Sequence, residues 1–284
     1  MYYLYLLGSL ITSTFPRNAC YLFARFVSVA HYYISKKDRE TVIYNLYPVI
    51  ADKSKIKRYA KEVFINFAYY LVDFFRYSKL NKDFIKKYIE VEGLDNLNKA
   101  GAEGKGVIIL AAHLGNYELA GAVLSLLGYP LSVVALAHKD RRVNQFFDRQ
   151  RQRVGVKVIS TGATIRSCFS ALKSGDMLAL LGDRNFSGEG IKLDMFSRKA
   201  YFPRGIAFFA LKTGAPIVPV FLVRKNKKFY RLVCEKPIAY DKENQDQVSI
   251  IRKCNLVLEK YIKKYPQQWY MFQRRWINKE PRMR

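Results

Sequence analysis

One of the three histidines in this chain, His113, stands in the run Ala111-Ala112-His113-Leu114-Gly115-Asn116-Tyr117-Glu118, directly after an apolar stretch at 107–110. A histidine whose far ring nitrogen is held by a carboxylate can take a proton from a hydroxyl. Glu118 follows five positions on. Five residues of ideal helix turn about 500°, which would part the two side chains by about 140°. They meet if His113 lies in a turn and Glu118 in the first turns of the next helix, and Gly115 tolerates the backbone of such a turn. The hydroxyl need not belong to the protein. If a substrate brings it, His113 and Glu118 become the base half of an acyl-transfer site. As bare spacing, His-x4-Glu equally describes a strand cap followed by a solvated helix residue.

Three further clusters fall where such a site would need them. The stretch from Asn144 to Gly155 places several arginines on one helix, with Arg149 and Arg153 four apart on one face. An arginine such as Arg151 or Arg149 can stabilise an oxyanion or hold a phosphate by its planar fork. Gly182-Asp183-Arg184-Asn185 ends an apolar run, so Asp183 shares a sheet edge with His113 if the two strands are parallel. Tyr201-Phe202-Pro203-Arg204-Gly205 opens a helix, with proline suited to its first turn. The backbone N–H groups there, from Gly205 onward, and the Arg204 side chain make an anion seat. Asn116, beside the histidine turn, joins these as a substrate-binding candidate. His138 also follows an apolar run and reads as the start of a helix.

The elements that must position these residues alternate. Apolar runs at 107–111, 131–137, 156–160, 177–182, 217–223 and 229–234 read as strands. Between and after them 116–127, 140–154, 164–173, 203–213 and 247–264 read as helices, several closed by glycine. Lys225–Lys228 reads as a hairpin tip, and 183–202 as the longest irregular stretch. Alternation of this kind predicts an α/β fold with a mostly parallel central sheet and helices on both faces. Open sheets of that class bind substrates at the carboxyl ends of their strands. Ahead of it, 17–35, 36–47 and 52–77 carry helical periodicity.

Composition limits the partners. Forty-nine Lys+Arg against 23 Asp+Glu leave a formal charge of +26, which favours anionic partners: an anionic membrane, a phosphorylated substrate, an acidic carrier protein or nucleic acid. No nucleic-acid-binding motif is visible, and nucleic acid is not expected as a partner. Four scattered cysteines without a Cys-x-x-Cys spacing argue against a zinc site, and no metal or cofactor is expected. No serine sits in a Gly-x-Ser-x-Gly elbow. Residues 1–16 carry no charged side chain, and apolar residues continue to Ile34. Sixteen residues are short for a span, which needs about 20. We therefore expect 1–35 to be a helical membrane-associating region lying in the bilayer surface, with Lys36, Lys37 and Arg39 near anionic headgroups, and 36–284 to be a single domain; a short signal-anchor, or a hairpin of ordinary packed helices broken at Pro16, are the alternatives. A basic membrane-attached protein that binds polyanions without catalysis is the rival reading, since Trp269 to Trp276 could stack on bases.

Taken in order, the motifs resemble the bacterial lipid A biosynthesis acyltransferases, the late or secondary acyltransferases, within the wider glycerolipid and lysophospholipid acyltransferases. The residues are His113-x4-Glu118, the Asn144 to Gly155 helix, Gly182-Asp183, Phe202-Pro203-Arg204-Gly205, and Thr213-Gly214-Ala215-Pro216. The early run Arg39 to Leu46 and the ending Pro266 to Trp276 look like family signatures too. The resemblance implies transfer of a fatty acyl group from a carrier thioester, of acyl carrier protein or coenzyme A, to a hydroxyl of a membrane glycolipid. The setting it implies is the cytoplasmic face of the bacterial inner membrane. It implies His113 as general base, Glu118 as the residue that orients and charges it, and Arg151 as the family's arginine, with Arg149 next. Asp183 then matches the family's acidic residue at the end of a later strand, and Pro203, Arg204 and Gly205 its Pro-Arg-Gly turn. Ser197 stands where the family often has glycine, and Phe202 where a small residue is common. A lysophospholipid or another glycosylated lipid is an alternative acceptor, and thioester hydrolysis an alternative reaction.

Overall fold

Two continuous apolar runs become neighbouring strands at the centre of the sheet. In a computed structural model, which describes residues 2–135, 139–160, 164–185 and 190–277, Val107–Ala111 and Ile217–Arg224 lie side by side. Ahead of Val107–Ala111 the chain forms α1 (Tyr2–Thr14), α2 (Arg17–Ile34), α3 (Lys36–Leu46), α4 (Ile56–Phe75), α5 (Lys82–Tyr88), β1 (Ile89–Glu92) and α6 (Leu94–Gly101), with short 3-10 turns before and after α4. The chain continues through β2 (Val107–Ala111), α7 (Tyr117–Leu126), β3 (Leu131–Ala135), α8 (Arg141–Arg153), β4 (Lys157–Ser160), α9 (Thr164–Lys173) and β5 (Met177–Leu181). It ends with β6 (Gly190–Met195), β7 (Arg198–Pro203), α10 (Gly205–Thr213), β8 (Ile217–Arg224), β9 (Tyr230–Cys234) and α11 (Gln247–Lys264).

The seven-stranded sheet runs β1-β9-β8-β2-β5-β3-β4. From β8 to β4 all neighbours are parallel, while β9 is antiparallel to β8 and carries β1 parallel to itself. Strand side chains alternate between faces. Ile108 and Leu110 of β2 accordingly join one core with α9, α10 and α11, and Val107 and Ile109 join the other with α6, α7 and α8. A sheet covered on both faces explains why β2 and β8 are apolar at nearly every position. The α/β expectation with a mostly parallel sheet therefore holds.

Two elements were not expected. β1 is four residues long at the sheet edge, with alternate residues exposed, too short to show a period between two helices. The stretch 183–202, expected to be irregular, contains the antiparallel hairpin β6–β7; residues 186–189 lie outside the described residues. Its two-residue tip, Phe196 and Ser197, has φ of 50° and 59°. Primed hairpin turns demand such angles, and side chains other than glycine pay about 1–2 kcal/mol for them. The Phe196 N–H is held by the Glu259 carboxylate of α11 at 2.7 Å, which anchors the tip. Pro203 ends β7 rather than opening α10, so that helix begins at Gly205.

At the amino end, α1 and α2 pack on α4. Gly8 abuts the Phe75 ring, and Arg76 donates to the carbonyl oxygens of Thr12 and Phe15. Asp73 of α4 is buried at the meeting point. It receives Arg17 of α2, Arg224 of β8, and the hydroxyls of Tyr21 and Tyr230. A buried carboxylate needs such a full set of donors, because an unpaired buried charge is costly. Among the described residues no helix is long and apolar enough to cross a membrane. Yet α1 and α2 leave Leu4, Leu10, Leu22, Phe23, Phe26 and Ile34 exposed.

Candidate active site

Strand register brings the first pair together. In the parallel pair β2–β5, Ala111 lies opposite Leu181, and the Gly182 N–H extends the ladder to the Ala111 carbonyl at 2.8 Å. Each strand then runs two residues further, to His113 and Asp183. The Asp183 Oδ1 meets His113 Nδ1 at 2.9 Å, and its Oδ2 accepts the His113 backbone N–H at 3.1 Å and the Trp269 indole N–H at 3.0 Å. The Asp183 side chain is wholly buried, while that of His113 keeps 12% of its surface. The acid is thus sealed and the imidazole faces the cavity. Burial alone would raise the Asp183 pKa; the adjacent His113, the indole and the His113 N–H outweigh it and hold the carboxyl below its usual range.

The expectation that Glu118 orients His113 is corrected. The carboxylate on His113 Nδ1 is Asp183, and both Glu118 oxygens are engaged by Arg151 of α8, at 2.6 Å from Nη2 and 3.1 Å from Nε. The third side of the Arg151 guanidinium meets Asp148 at 3.3 Å. Burial would lower the Arg151 pKa, but Glu118 more than reverses this and raises it. His113 does lie in the turn and Glu118 in the first turn of α7, the arrangement expected to bring them together, yet Glu118 projects toward α8 and pairs with Arg151 instead. A fork-on-fork pair of this kind fixes geometry as well as charge.

The turn between the two is built for close approach. Gly115 has φ of 64°, and a Cβ there would lie 2.2 Å from the Leu222 carbonyl oxygen. The turn is tied down by Gly115 N–H to Gln268 O at 2.8 Å, Asn116 N–H to Leu222 O at 2.8 Å, and Tyr270 N–H to His113 O at 2.7 Å. The ending around Trp269 therefore docks against the histidine turn, and Trp269 itself is buried. Asn116 caps α7 by accepting the Leu119 N–H at 3.1 Å and donates to Asp73 at 3.3 Å. It is a buried structural link to the Asp73 cluster rather than a group offered to substrate.

A cavity of about 540 Å³ opens at this edge. His113, Tyr117, Glu118 and Arg151 line it together with Arg184, Asn185, Pro203 and Gly205. Tyr117 stands edge-on to the His113 ring, centroids 5.4 Å apart, and stacks on Tyr70. Behind the Glu118–Arg151 pair a narrower pocket of about 80 Å³ continues between α7 and the sheet. Ile109, Leu124, Leu131, Val133 and Ala179 line it, and Gly121 opens its wall. Of the remaining candidates, Arg149 and Arg204 are exposed, and Arg204 occupies the N-cap position of α10 without a side-chain cap bond. His138 lies outside the described residues. Among the described residues no group of three metal-ligating side chains comes together.

Sequence reasoning missed Tyr117, the Asp73 cluster and the link from Trp269 to Asp183. Trp269 had a signal, since its run is one of those that resemble the family.

The chain is similar to known acyltransferases. Over 216 residues the chain is 24% identical to a phosphatidylinositol mannoside acyltransferase of Mycolicibacterium smegmatis, covering 75% of this chain and 70% of that one. It is 26% identical to the lipid A biosynthesis palmitoleoyltransferase of Escherichia coli over 194 residues, 67% of this chain and 62% of the relative. A lipid A biosynthesis acyltransferase of Haemophilus influenzae is 27% identical over 191 residues, 66% and 59% of the two chains. The bacterial lipid A biosynthesis acyltransferase model matches residues 1–278, and the chain belongs to that family.

Proposed function

We propose that this protein transfers a fatty acyl group from a carrier thioester to a hydroxyl of a membrane glycolipid, with lipid A precursors as the acceptor class. The observation that carries this reading is the His113–Asp183 couple at the mouth of a cavity that continues into an apolar pocket. Asp183 holds the Nδ1–H tautomer and supports the imidazolium. His113 Nε2 takes the acceptor's proton as its oxygen attacks the thioester carbonyl. The resulting oxyanion finds donors in the first turn of α10, where Gly205 and Ile206 line the cavity. Collapse of the intermediate forms the ester and expels the thiolate, which takes the proton from His113. A thioester is already activated, so no covalent enzyme intermediate is required. The Glu118–Arg151 pair lines both the reacting cavity and the apolar pocket at the passage between them, where it positions the donor.

Lipid profiling by mass spectrometry tests the function itself. Deleting the gene removes one ester-linked acyl chain from a membrane glycolipid, and an unaltered lipid profile contradicts the proposal.

The pocket behind Glu118 is the place for the donor's hydrocarbon tail. A Cβ on Gly121 would already come within 3.1 Å of Leu131, so a larger side chain fills the space. Gly121→Leu should shift donor preference toward shorter chains by about tenfold or more, since each buried methylene is worth about 0.8 kcal/mol. Competition between donors of different length measures it; an unchanged preference removes the tail from this pocket.

The exposed apolar side chains of α1 and α2, followed by Lys36, Lys37 and Arg39, suit the surface of an anionic bilayer. Phe23→Glu with Phe26→Glu should weaken flotation with anionic vesicles by about tenfold or more, because two buried aromatic side chains are lost. Undiminished flotation would place the membrane contact elsewhere.

A further inference from the structure

The ending that docks on the histidine turn carries a second feature. From Trp269, paired with Leu114, the chain runs to Ile277, whose N–H reaches the Lys199 carbonyl at 2.8 Å. Asn45 of α3 clamps it on the way. Its Nδ2 donates to the carbonyls of Met271 and Gln273 at 2.9 and 2.8 Å, and its Oδ1 accepts the Arg275 N–H at 2.9 Å. Two runs that resemble the family, 39–46 and 266–276, thus meet at one buried asparagine.

The clamp sets Arg275 over the Phe202 ring, 4.5 Å from its centroid, and leaves the residue 8% exposed. Its backbone N–H is satisfied, but its Nε and Nη2 are buried without a hydrogen-bond partner. Burial pushes the Arg275 pKa down to about 10, and Asp183 acts against that, so the guanidinium lies within the field of the catalytic couple. A buried arginine with idle donors costs several kcal/mol unless something accepts from it. Beside it is a cavity of about 310 Å³, lined by Arg184, Asn185, Tyr201, Gln273 and Arg274 as well as Arg275. No acidic residue is among the described residues that line it. Arg184 and Asn185 also line the main cavity, so the two spaces are neighbours across one strand end.

We propose that the space between Arg184, Arg274 and Arg275 is a subsite for a phosphate ester group of a substrate whose reacting end lies at His113. A phosphate presents several charged oxygens to several guanidinium forks at once, which a single carboxylate does not. The buried Phe202 ring under the Arg275 guanidinium keeps water from that side of it, which strengthens the contacts this arginine makes. The phosphate belongs to the acceptor's headgroup or to the donor's phosphorylated carrier arm. That it is a substrate's phosphate rests on the acyl-transfer reading above; that phosphate binds does not.

Calorimetric titration of the purified full chain in detergent with inorganic phosphate, at constant ionic strength, reads the subsite directly. Phosphate should bind the wild type, and acetate much more weakly. Arg275→Gln should weaken phosphate binding by about tenfold or more, the loss expected for charge-assisted bonds to one guanidinium. Arg275→Lys keeps the charge without the fork and should weaken it by less; it decides the matter if Arg275→Gln does not fold. Absence of phosphate binding to the wild type, equal binding of acetate, or equal affinity in the folded variants overturns the proposal. In the transfer assay, phosphate competing with the acceptor assigns the subsite to the headgroup, and phosphate competing with the donor assigns it to the carrier arm. Competition with neither overturns its placement on the substrate path. A wild type that binds phosphate through Arg275 but transfers no acyl group keeps the subsite and contradicts the function.

Discussion

His113→Ala should abolish acyl transfer while leaving a folded protein. General-base assistance is worth about 10²–10⁴-fold, so kcat should fall by at least that range with a smaller change in KM. The fold should survive because most of what holds the turn is backbone. The His113 N–H to Asp183, the His113 carbonyl to Tyr270 and the Gly115 contacts do not involve the ring. Asp183 keeps its bonds from Trp269 and from the residue-113 N–H. Losing one hydrogen bond to a buried carboxylate costs about 1–3 kcal/mol, within the stability of an ordinary domain. Circular dichroism with a transfer assay on the same preparation checks both halves. Transfer retained by folded His113→Ala would refute the assignment of the base.

Asp183→Asn should have the second large effect, and for a different reason. Asparagine turns its amide N–H toward Nδ1, which favours the tautomer with its proton on Nε2 and removes the base. Changing the acid of such a couple to its amide costs about 10⁴-fold where the geometry is otherwise kept, and a loss of about 10³–10⁴ is expected here. The change should appear in kcat. A fall of less than tenfold would show that Asp183 does not orient the ring.

The same substitution changes the response to acid. The folded-state pKa of Asp183 lies below the value near 3.9 expected for an unfolded chain. Its ionised form therefore adds stability that is fully present above about pH 4 and is lost as pH falls through the folded value. Asp183→Asn should have a lower urea midpoint at neutral pH, and the gap from the wild type should narrow as pH drops below about 4. A gap that widens on acidification would reverse the sign of this contribution.

How much of this was legible in the sequence differs by element. β2 was read to the residue because a buried parallel strand is a continuous apolar run. α7 and α11 were read as helices to within a residue at each end. β1 and the β6–β7 hairpin were not, since four edge residues show no period and the hairpin tip lacks its usual glycine. His113 and Asp183 were both singled out, but the acid assigned to the histidine was Glu118. That assignment weighed distance along the chain. The contact that forms depends on β5 lying beside β2 with Ala111 opposite Leu181, and strand order is not written in local spacing. Arg149 and Arg204 were attractive as charges, yet both are exposed, and Arg151 is the arginine of α8 among the described residues lining the cavity. The Asp73 cluster draws on residues from Arg17 to Tyr230, too far apart for any local pattern to show.

The most direct test of the His113–Asp183 couple is a histidine-selective ¹⁵N spectrum, tractable because the chain has three histidines. In the wild type, one strongly hydrogen-bonded proton on Nδ1 should be assignable to His113. It should persist in Glu118→Gln and vanish in Asp183→Asn. A resonance that survives in Asp183→Asn and is lost in Glu118→Gln would contradict the account.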